Sequence, residues 1–144
     1  LVRGRLTQKL DSTCYLQKEN AKNIVRISDH PWEQGKSEEI HSIFYPVKKN
    51  DDYTLVKVEL ITGKSHQIRA QLKHLGYPVV GDTKYGIPVV NRYFADAYHV
   101  KHQLLHCGNI IFKETDGPLS YLSGKEYSAF LPEPFRTIEK DLFG

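Results

Sequence analysis

Three nitrogen-bearing side chains, His66, Arg69 and Lys73, recur at spacings of three and four. At about 100° per residue they fall within an arc of about 60° on a helix. Ser65 stands before them as a candidate N-cap, and Gly76 stands where a left-handed C-terminal residue is wanted. Ile68, Leu72 and Leu75 form an apolar stripe beside them. The segment is therefore predicted to be a short helix that buries one edge and presents basic groups along another. Such an edge suits an anion. Lys64, just ahead of the helix start, adds to the pull that a helix N-terminus exerts on a phosphate.

Other reactive combinations are weaker. Gly63-Lys64-Ser65 suggests a nucleotide phosphate loop, but that pattern needs a glycine five residues before Gly63, where the chain has Val58. His99, His102 and His106 would align on one helix and could hold a metal. However, Gln103 to Phe112 reads as a strand, and no glutamate completes a HExxH pattern, so no metal is expected. Asp29 and His30 adjoin, but no spaced nucleophile motif accompanies them. The carboxylate pairs Glu38-Glu39 and Asp51-Asp52 sit in loop-like sequence and read as solvated.

The elements that must position the basic helix read as an α+β arrangement. Residues 1–23 are polar and turn-rich after a short apolar start. Asn23 to Ser28 reads as a short strand, and His30 to Glu39 as a loop punctuated by proline and glycine. Ile40 to Val47 and Tyr53 to Ile61 are rich in strand formers and flank the polar turn Lys48 to Asp52, which is a hairpin pattern. Tyr93 to Tyr98 fits either a helix or a loop. Gln103 to Phe112 and Glu126 to Leu131 are strand candidates, and Phe135 to Leu142 is a terminal helix. Several antiparallel strands with few helices give a mixed, mainly antiparallel sheet.

Composition narrows the class. The 144 residues, 40% hydrophobic and 26% charged, fit one soluble domain or part of one. No apolar run approaches the roughly 18 residues of a membrane helix. Leu1-Val2-Arg3-Gly4 shows neither a starting methionine nor a signal pattern, and reads as a fragment boundary. Cys14 and Cys107 are too isolated for a disulfide framework or a zinc site and read as reduced, cytosolic thiols. A formal charge of +3 is compatible with an RNA partner and does not require one.

The stretch Thr62-Gly63-Lys64-Ser65-His66-Gln67-Ile68-Arg69, followed by Gly81-Asp82-Thr83-Lys84-Tyr85-Gly86, resembles the signature of the RNA pseudouridine synthases, in particular the branch acting on large-subunit ribosomal RNA. The family form is TGR(T/S)HQIR followed by GD-x-xYG. The resemblance runs from Leu55 to Gly86, resumes at Gln103-Leu104-Leu105-His106-Cys107, and continues weakly to Leu131-Pro132. Leu1-Val2-Arg3-Gly4 resembles the end of the family's Y-x-A segment.

The resemblance implies a role for each matching residue. Residues 1–144 would be the C-terminal part of the catalytic domain, the second half of a fold with a central cleft. Its reaction isomerises uridine to pseudouridine in ribosomal RNA or transfer RNA, with no cofactor or metal. Arg69 maps onto the active-site arginine, whose partner is a catalytic aspartate. Ile68 and Leu105 match apolar positions that either line the uracil pocket or simply pack in the core. Lys64, His66, Gln67 and Lys73 are candidate RNA contacts, Gln67 alternatively holding the helix start in place.

Departures from the family pattern matter as well. Lys64 replaces the arginine of TGR, and Ala70-Gln71 replaces the commoner Val-His. No HRLDxxTSG-like segment occurs, and Asp11 lacks its context. The family's tyrosine falls before Leu1. The implied protein is thus a cytoplasmic isomerase of which these residues hold one wall of the active site, inactive alone and open to self-association through the uncovered face. The rival readings are an RNA-binding module that keeps the fold without the reaction, and a structural or protein-interaction domain that binds no RNA.

Overall fold

The computed structural model describes residues 1–144, apart from the side chain of Asn20. Five strands form one sheet: β1 (Val2–Arg3), β2 (Leu10–Glu19), β3 (Ile24–Ser28), β4 (Glu38–Lys49) and β5 (Tyr53–Leu60). Their spatial order is β1-β5-β4-β2-β3, and every neighbouring pair is antiparallel. Helix α1 (Gln67–His74) follows β5, then α2 (Pro88–Tyr98). A separate two-stranded hairpin, β6 (Asn109–Ile111) with β7 (Glu126–Ser128), precedes the terminal helix α3 (Phe135–Phe143). The fold is α+β with a mainly antiparallel sheet, as the strand patterning implies. Among the described residues no helix is long and apolar enough to cross a membrane.

Strand β2 corrects the reading of residues 1–23 as turn-rich. Its inward positions alternate as Leu10, Ser12, Cys14 and Leu16, of which Cys14 and Leu16 are fully buried. A serine stands where an apolar residue would announce the strand. The fold tolerates it because Gln71 of α1 donates its Nε2 to both the carbonyl and the hydroxyl of Ser12. A buried polar group with a partner carries little penalty. Glu38 and Glu39 likewise belong to β4 rather than to a loop.

Helix α1 lies over the sheet and divides its apolar contacts. Leu72 packs with Val2, Leu6, Phe44 and Val79, and Ala70 packs with Cys14, Leu16, Val25, Ile40 and Tyr85. Full burial of Leu72 alone is worth about 1.5–3 kcal/mol. The helix ends as expected at Gly76, which has φ +88°, with the N–H of Tyr77 returning to the carbonyl of Leu72. Its start differs. His66, with φ 57°, is the N-cap, and Ser65 lies one residue outside it.

A third cluster gathers Leu1, Val80, Phe94, Val100, Leu104, Phe135 and Ile138 where α2 and α3 meet. Residues 93–98 resolve as the last part of an eleven-residue helix, with Pro88 at its first turn. The strand expected over residues 103–112 shrinks to Asn109–Ile111. The reason is visible at Leu104, whose N–H goes to the carbonyl of Val80 rather than into a ladder. His99 accordingly caps α2 in a left-handed conformation, outside any shared helix with His102 and His106.

Candidate active site

The loop from Thr62 to His66 connects β5 to α1, and Gln67 fixes it. Gln67 is 2% exposed. Its Oε1 accepts hydrogen bonds from Thr62 Oγ1 and Lys64 N, both at 3.0 Å. Its Nε2 donates to the His41 carbonyl at 3.2 Å and to Ser42 Oγ at 2.9 Å. The amide is fully engaged, tying the helix start to β4. Of the two roles open to Gln67 from sequence, this geometry serves the holding one.

Arg69, in the first turn of α1, points at Asp82. Its Nε donates to Oδ2 at 2.6 Å and its Nη2 to Oδ1 at 2.8 Å, a two-point fork. Asp82 has no exposed surface, and the Arg69 side chain is 13% exposed. Asp82 Oδ1 also accepts the backbone N–H groups of Lys84 and Tyr85, at 2.9 and 3.0 Å. Burial pushes the Asp82 carboxyl up, but the hydrogen bonds from Arg69, Tyr85 and Lys84 together outweigh it and leave the group below its usual range. The hydrogen bond to Asp82 raises the Arg69 guanidinium further against the opposing effect of burial.

The Gly-Asp-Thr-Lys-Tyr-Gly turn has a physical reason for its end residues. Gly81 takes φ +80°, and a Cβ there would sit 2.4 Å from the His102 carbonyl oxygen. A Cβ on Gly86 would sit 2.4 Å from the Asp82 carbonyl oxygen and 2.9 Å from that of Val79. Only glycine lets the backbone close this tightly. Between them, Tyr85 is buried, and its ring centroid lies 5.2 Å from Arg69 Cζ. The Tyr85 hydroxyl accepts the Val25 N–H at 2.8 Å and lies 3.0 Å from His66 Nδ1.

His66 is thereby set as a neutral imidazole. Burial, followed by the positive charges of Arg69 and Lys84, lowers its pKa below the ordinary histidine value. Its Nδ1 shares one hydrogen bond with the Tyr85 hydroxyl, and the lowered pKa favours the uncharged ring near neutral pH.

The remaining sequence candidates scatter. Lys64 is paired with Glu38 at 2.9 Å. Lys73 is exposed and takes no ion pair among the described residues. Ile68 is half-buried and packs against the cluster around Phe44, whereas Leu105 is 39% exposed and belongs to no cluster. Lys73 instead borders a groove of about 420 Å³ between β3 and α1, with Arg26, Trp32, His74, Lys84 and Tyr85 in its walls. Among the described residues no group of three or more side chains is placed to hold a metal ion. Asp82 and Tyr85 were not singled out from sequence, although both stand in the Gly-Asp-Thr-Lys-Tyr-Gly segment. The glycines flanking them were the available signal.

The arrangement offers an ionised arginine, anchored at its rear and stacked on an aromatic ring, beside a neutral histidine and a basic groove. It can orient and stabilise an anionic group at a fixed position. Comparison with known proteins places it in context. The chain matches the RNA pseudouridylate synthase family over residues 4–74. It is 36% identical over 121 residues to the ribosomal large subunit pseudouridine synthase C of Buchnera aphidicola, covering 84% of this chain and 35% of that protein. It is 37% identical over 93 residues to an uncharacterised RNA pseudouridine synthase of Chloroflexus aurantiacus, covering 63% of this chain and 26% of that one. It is 35% identical over 74 residues to the transfer RNA pseudouridine synthase C of Vibrio cholerae, covering 50% of this chain and 30% of that one. The chain thus spans about a third of the length of the curated relatives it matches.

Proposed function

This chain belongs to the RNA pseudouridine synthase family, and from that membership we propose that it supplies the arginine-bearing wall of a site that isomerises uridine to pseudouridine in ribosomal or transfer RNA. The observation that carries the reading is Arg69, held ionised and immobile in the His-Gln-Ile-Arg segment. In the reaction the N1–C1′ bond breaks and a C5–C1′ bond forms, while C5 loses a proton and N1 gains one. Nothing is oxidised or reduced, and no group is gained or lost.

In this reading Arg69 grips the carboxylate of the catalytic aspartate, which comes from sequence outside these residues. A guanidinium can fix the direction of a carboxylate by two parallel hydrogen bonds and keep it ionised. The target base must leave the RNA stack to reach the site. Lys73 and the basic groove between β3 and α1 offer contacts to the flanking phosphates, and such contacts give salt-dependent binding. His66, neutral and stacked edge-on to Tyr85, is suited to a hydrogen bond rather than to an ion pair. Ribosomal RNA is the favoured substrate, and the cytoplasm the compartment. The exposed apolar residues between Leu105 and Phe130 are the face on which the rest of the domain, or a second copy, would settle.

The test is to incubate the complete protein carrying these residues with uridine-containing ribosomal and transfer RNAs and to map pseudouridine by chemical labelling. New pseudouridine at a defined site supports the proposal. Salt-sensitive RNA binding with no product anywhere contradicts it and favours the non-catalytic module. No RNA binding at all favours the structural domain.

A further inference from the structure

We propose that the groove between β3 and α1 is a site for one unpaired RNA nucleotide adjoining the uridine site, its base stacked on Trp32 and its phosphate held by Lys73 and Lys84. This rests on the reading of RNA as the substrate and adds a contact that holds the strand beside the reacting base. Val25, Ala70 and Tyr85 are buried at the base of the groove. Tyr85 also lies against Arg69, its ring centroid 5.2 Å from Arg69 Cζ. One side chain is therefore shared between the groove and the candidate active site. The volume of about 420 Å³ falls within the range of about 300–1,000 Å³ usual for small-molecule sites.

Trp32 is presented to the groove by a loop pinned on both sides. Before it, Asp29 Oδ1 lies 2.8 Å from His74 Nε2 on α1. After it, the Gln34 carbonyl accepts Gln17 Nε2 at 3.0 Å. The indole is half-buried. Among the described residues its N–H takes no hydrogen bond, no aromatic ring pairs with it and no cation lies over it. An aromatic face held in place without a neighbour suits a nucleobase, because every base has a π-face to stack on it.

The charges on the rim agree with this occupant. Lys84 Nζ donates to the Asn23 carbonyl at 2.7 Å, and Lys73 is exposed. Neither forms an ion pair among the described residues. Arg26 and His74, by contrast, are engaged by Glu19 and Asp29. Two lysines without a carboxylate leave positive charge available to a phosphate. A peptide strand added to the edge of β3 fits less well, since it would need free backbone groups there. The Val25 N–H already goes to the Tyr85 hydroxyl at 2.8 Å, and the Asn23 carbonyl is taken by Lys84.

The test uses the complete protein and a short ribosomal RNA loop that contains the target uridine. The same RNA is also made abasic at each flanking position in turn. Trp32→Ala is expected to raise the RNA Kd about 10-fold or more, with kcat at saturating RNA within about threefold. Trp32→Phe keeps an aromatic face and should bind within about threefold of wild type. One abasic position should cost the wild type a factor similar to that of Trp32→Ala, and should cost Trp32→Ala almost nothing more. Lys73→Gln should lessen the slope of log Kd against log salt by about 0.7. Trp32 is the one tryptophan among these residues. Its emission, read as the part of the tryptophan signal absent from Trp32→Phe, should be quenched by the intact RNA.

A Trp32→Ala protein that binds RNA as the wild type does overturns the inference alone. So does an abasic cost that Trp32→Ala retains in full at every position. If Trp32→Ala does not fold, the wild-type emission decides: quenching by the intact RNA and not by one abasic RNA supports the inference, and no quenching overturns it. Quenching by a glutamate-rich peptide and by no RNA assigns the groove to an acidic partner and overturns it as well. Trp32-dependent RNA binding without any pseudouridine supports the nucleotide site while removing the catalytic reading. A wild type that binds no RNA overturns both.

Discussion

Asp82 and Phe130 reverse the usual rule of inside and outside. The carboxylate has no exposed surface, while the phenylalanine is 97% exposed. Asp82 is tolerable inside because two side-chain and two backbone N–H groups converge on it. Phe130 belongs to a segment, residues 105–134, that contains no buried residue, and its β6–β7 hairpin rests on no core. A lone two-stranded hairpin is marginal in water. The first region is over-determined and can aim a charged group. The second is under-packed and offers area to something else. The chain thus joins a tightly hydrogen-bonded buried ion pair to a flank of exposed apolar residues.

The contrast can be broken most severely at Arg69. Arg69→Ala leaves the buried Asp82 carboxylate unpaired, and it is expected to cost about 3–5 kcal/mol in a denaturant melt. The ion pair with Asp82 is the reason that the substitution reaches the fold as well as the site. Arg69→Lys retains the charge and should lose much less stability while still abolishing the fork.

Gly86→Ala comes next. The two backbone oxygens that a new methyl would meet cannot yield easily. A loss of about 1–3 kcal/mol is expected from the overpacking, seen as a lower melting temperature. Gln67→Ala should cost about 1–3 kcal/mol, because it strips the partners from the Lys64 N–H and from the buried Ser42 hydroxyl. Faster amide exchange at Lys64 would mark that loss.

Acidification should weaken the first region before the second. The Asp82 carboxyl is held below its ordinary value in the folded protein. Its contribution to stability is therefore complete above the unfolded carboxylate range and is lost as pH falls below about 4. Asp82→Asn should flatten that part of the stability curve, and a pH series of urea melts would show it. The smallest effect is expected at the flank. Phe130→Ser should alter the stability of this chain by no more than about 0.5 kcal/mol while reducing self-association in analytical ultracentrifugation. A large destabilisation there would mean that the hairpin is packed after all.

Legibility from sequence follows the same division. Helix α1 and the β4–β5 hairpin were readable because their apolar residues repeat at the right period and polar turns flank them. Arg69 stands out in sequence through the motif around it, while its buried ion pair does not. Strand β2 was not, because Ser12 occupies an inward position and its partner, Gln71, lies 59 residues away. Asp82 stood in plain view, yet nothing local says that its carboxylate returns 13 residues to Arg69. The N-cap moved from Ser65 to His66 because Gln67 draws the loop onto β4, a tertiary demand that overrides local capping preference. His66 itself was read as a basic contact, since its desolvation beside Tyr85 and two cations emerges only on folding.

The central claim is that Arg69, held in place by Asp82, serves uridine isomerisation. Its most direct test is single-turnover pseudouridine formation by the complete protein on ribosomal RNA, with wild type and Arg69→Lys compared at equal RNA occupancy. The account predicts product at a defined uridine for the wild type and a loss on the order of 100-fold or more for Arg69→Lys. Equal rates for the two proteins, or RNA bound by both with no product from either, would contradict it.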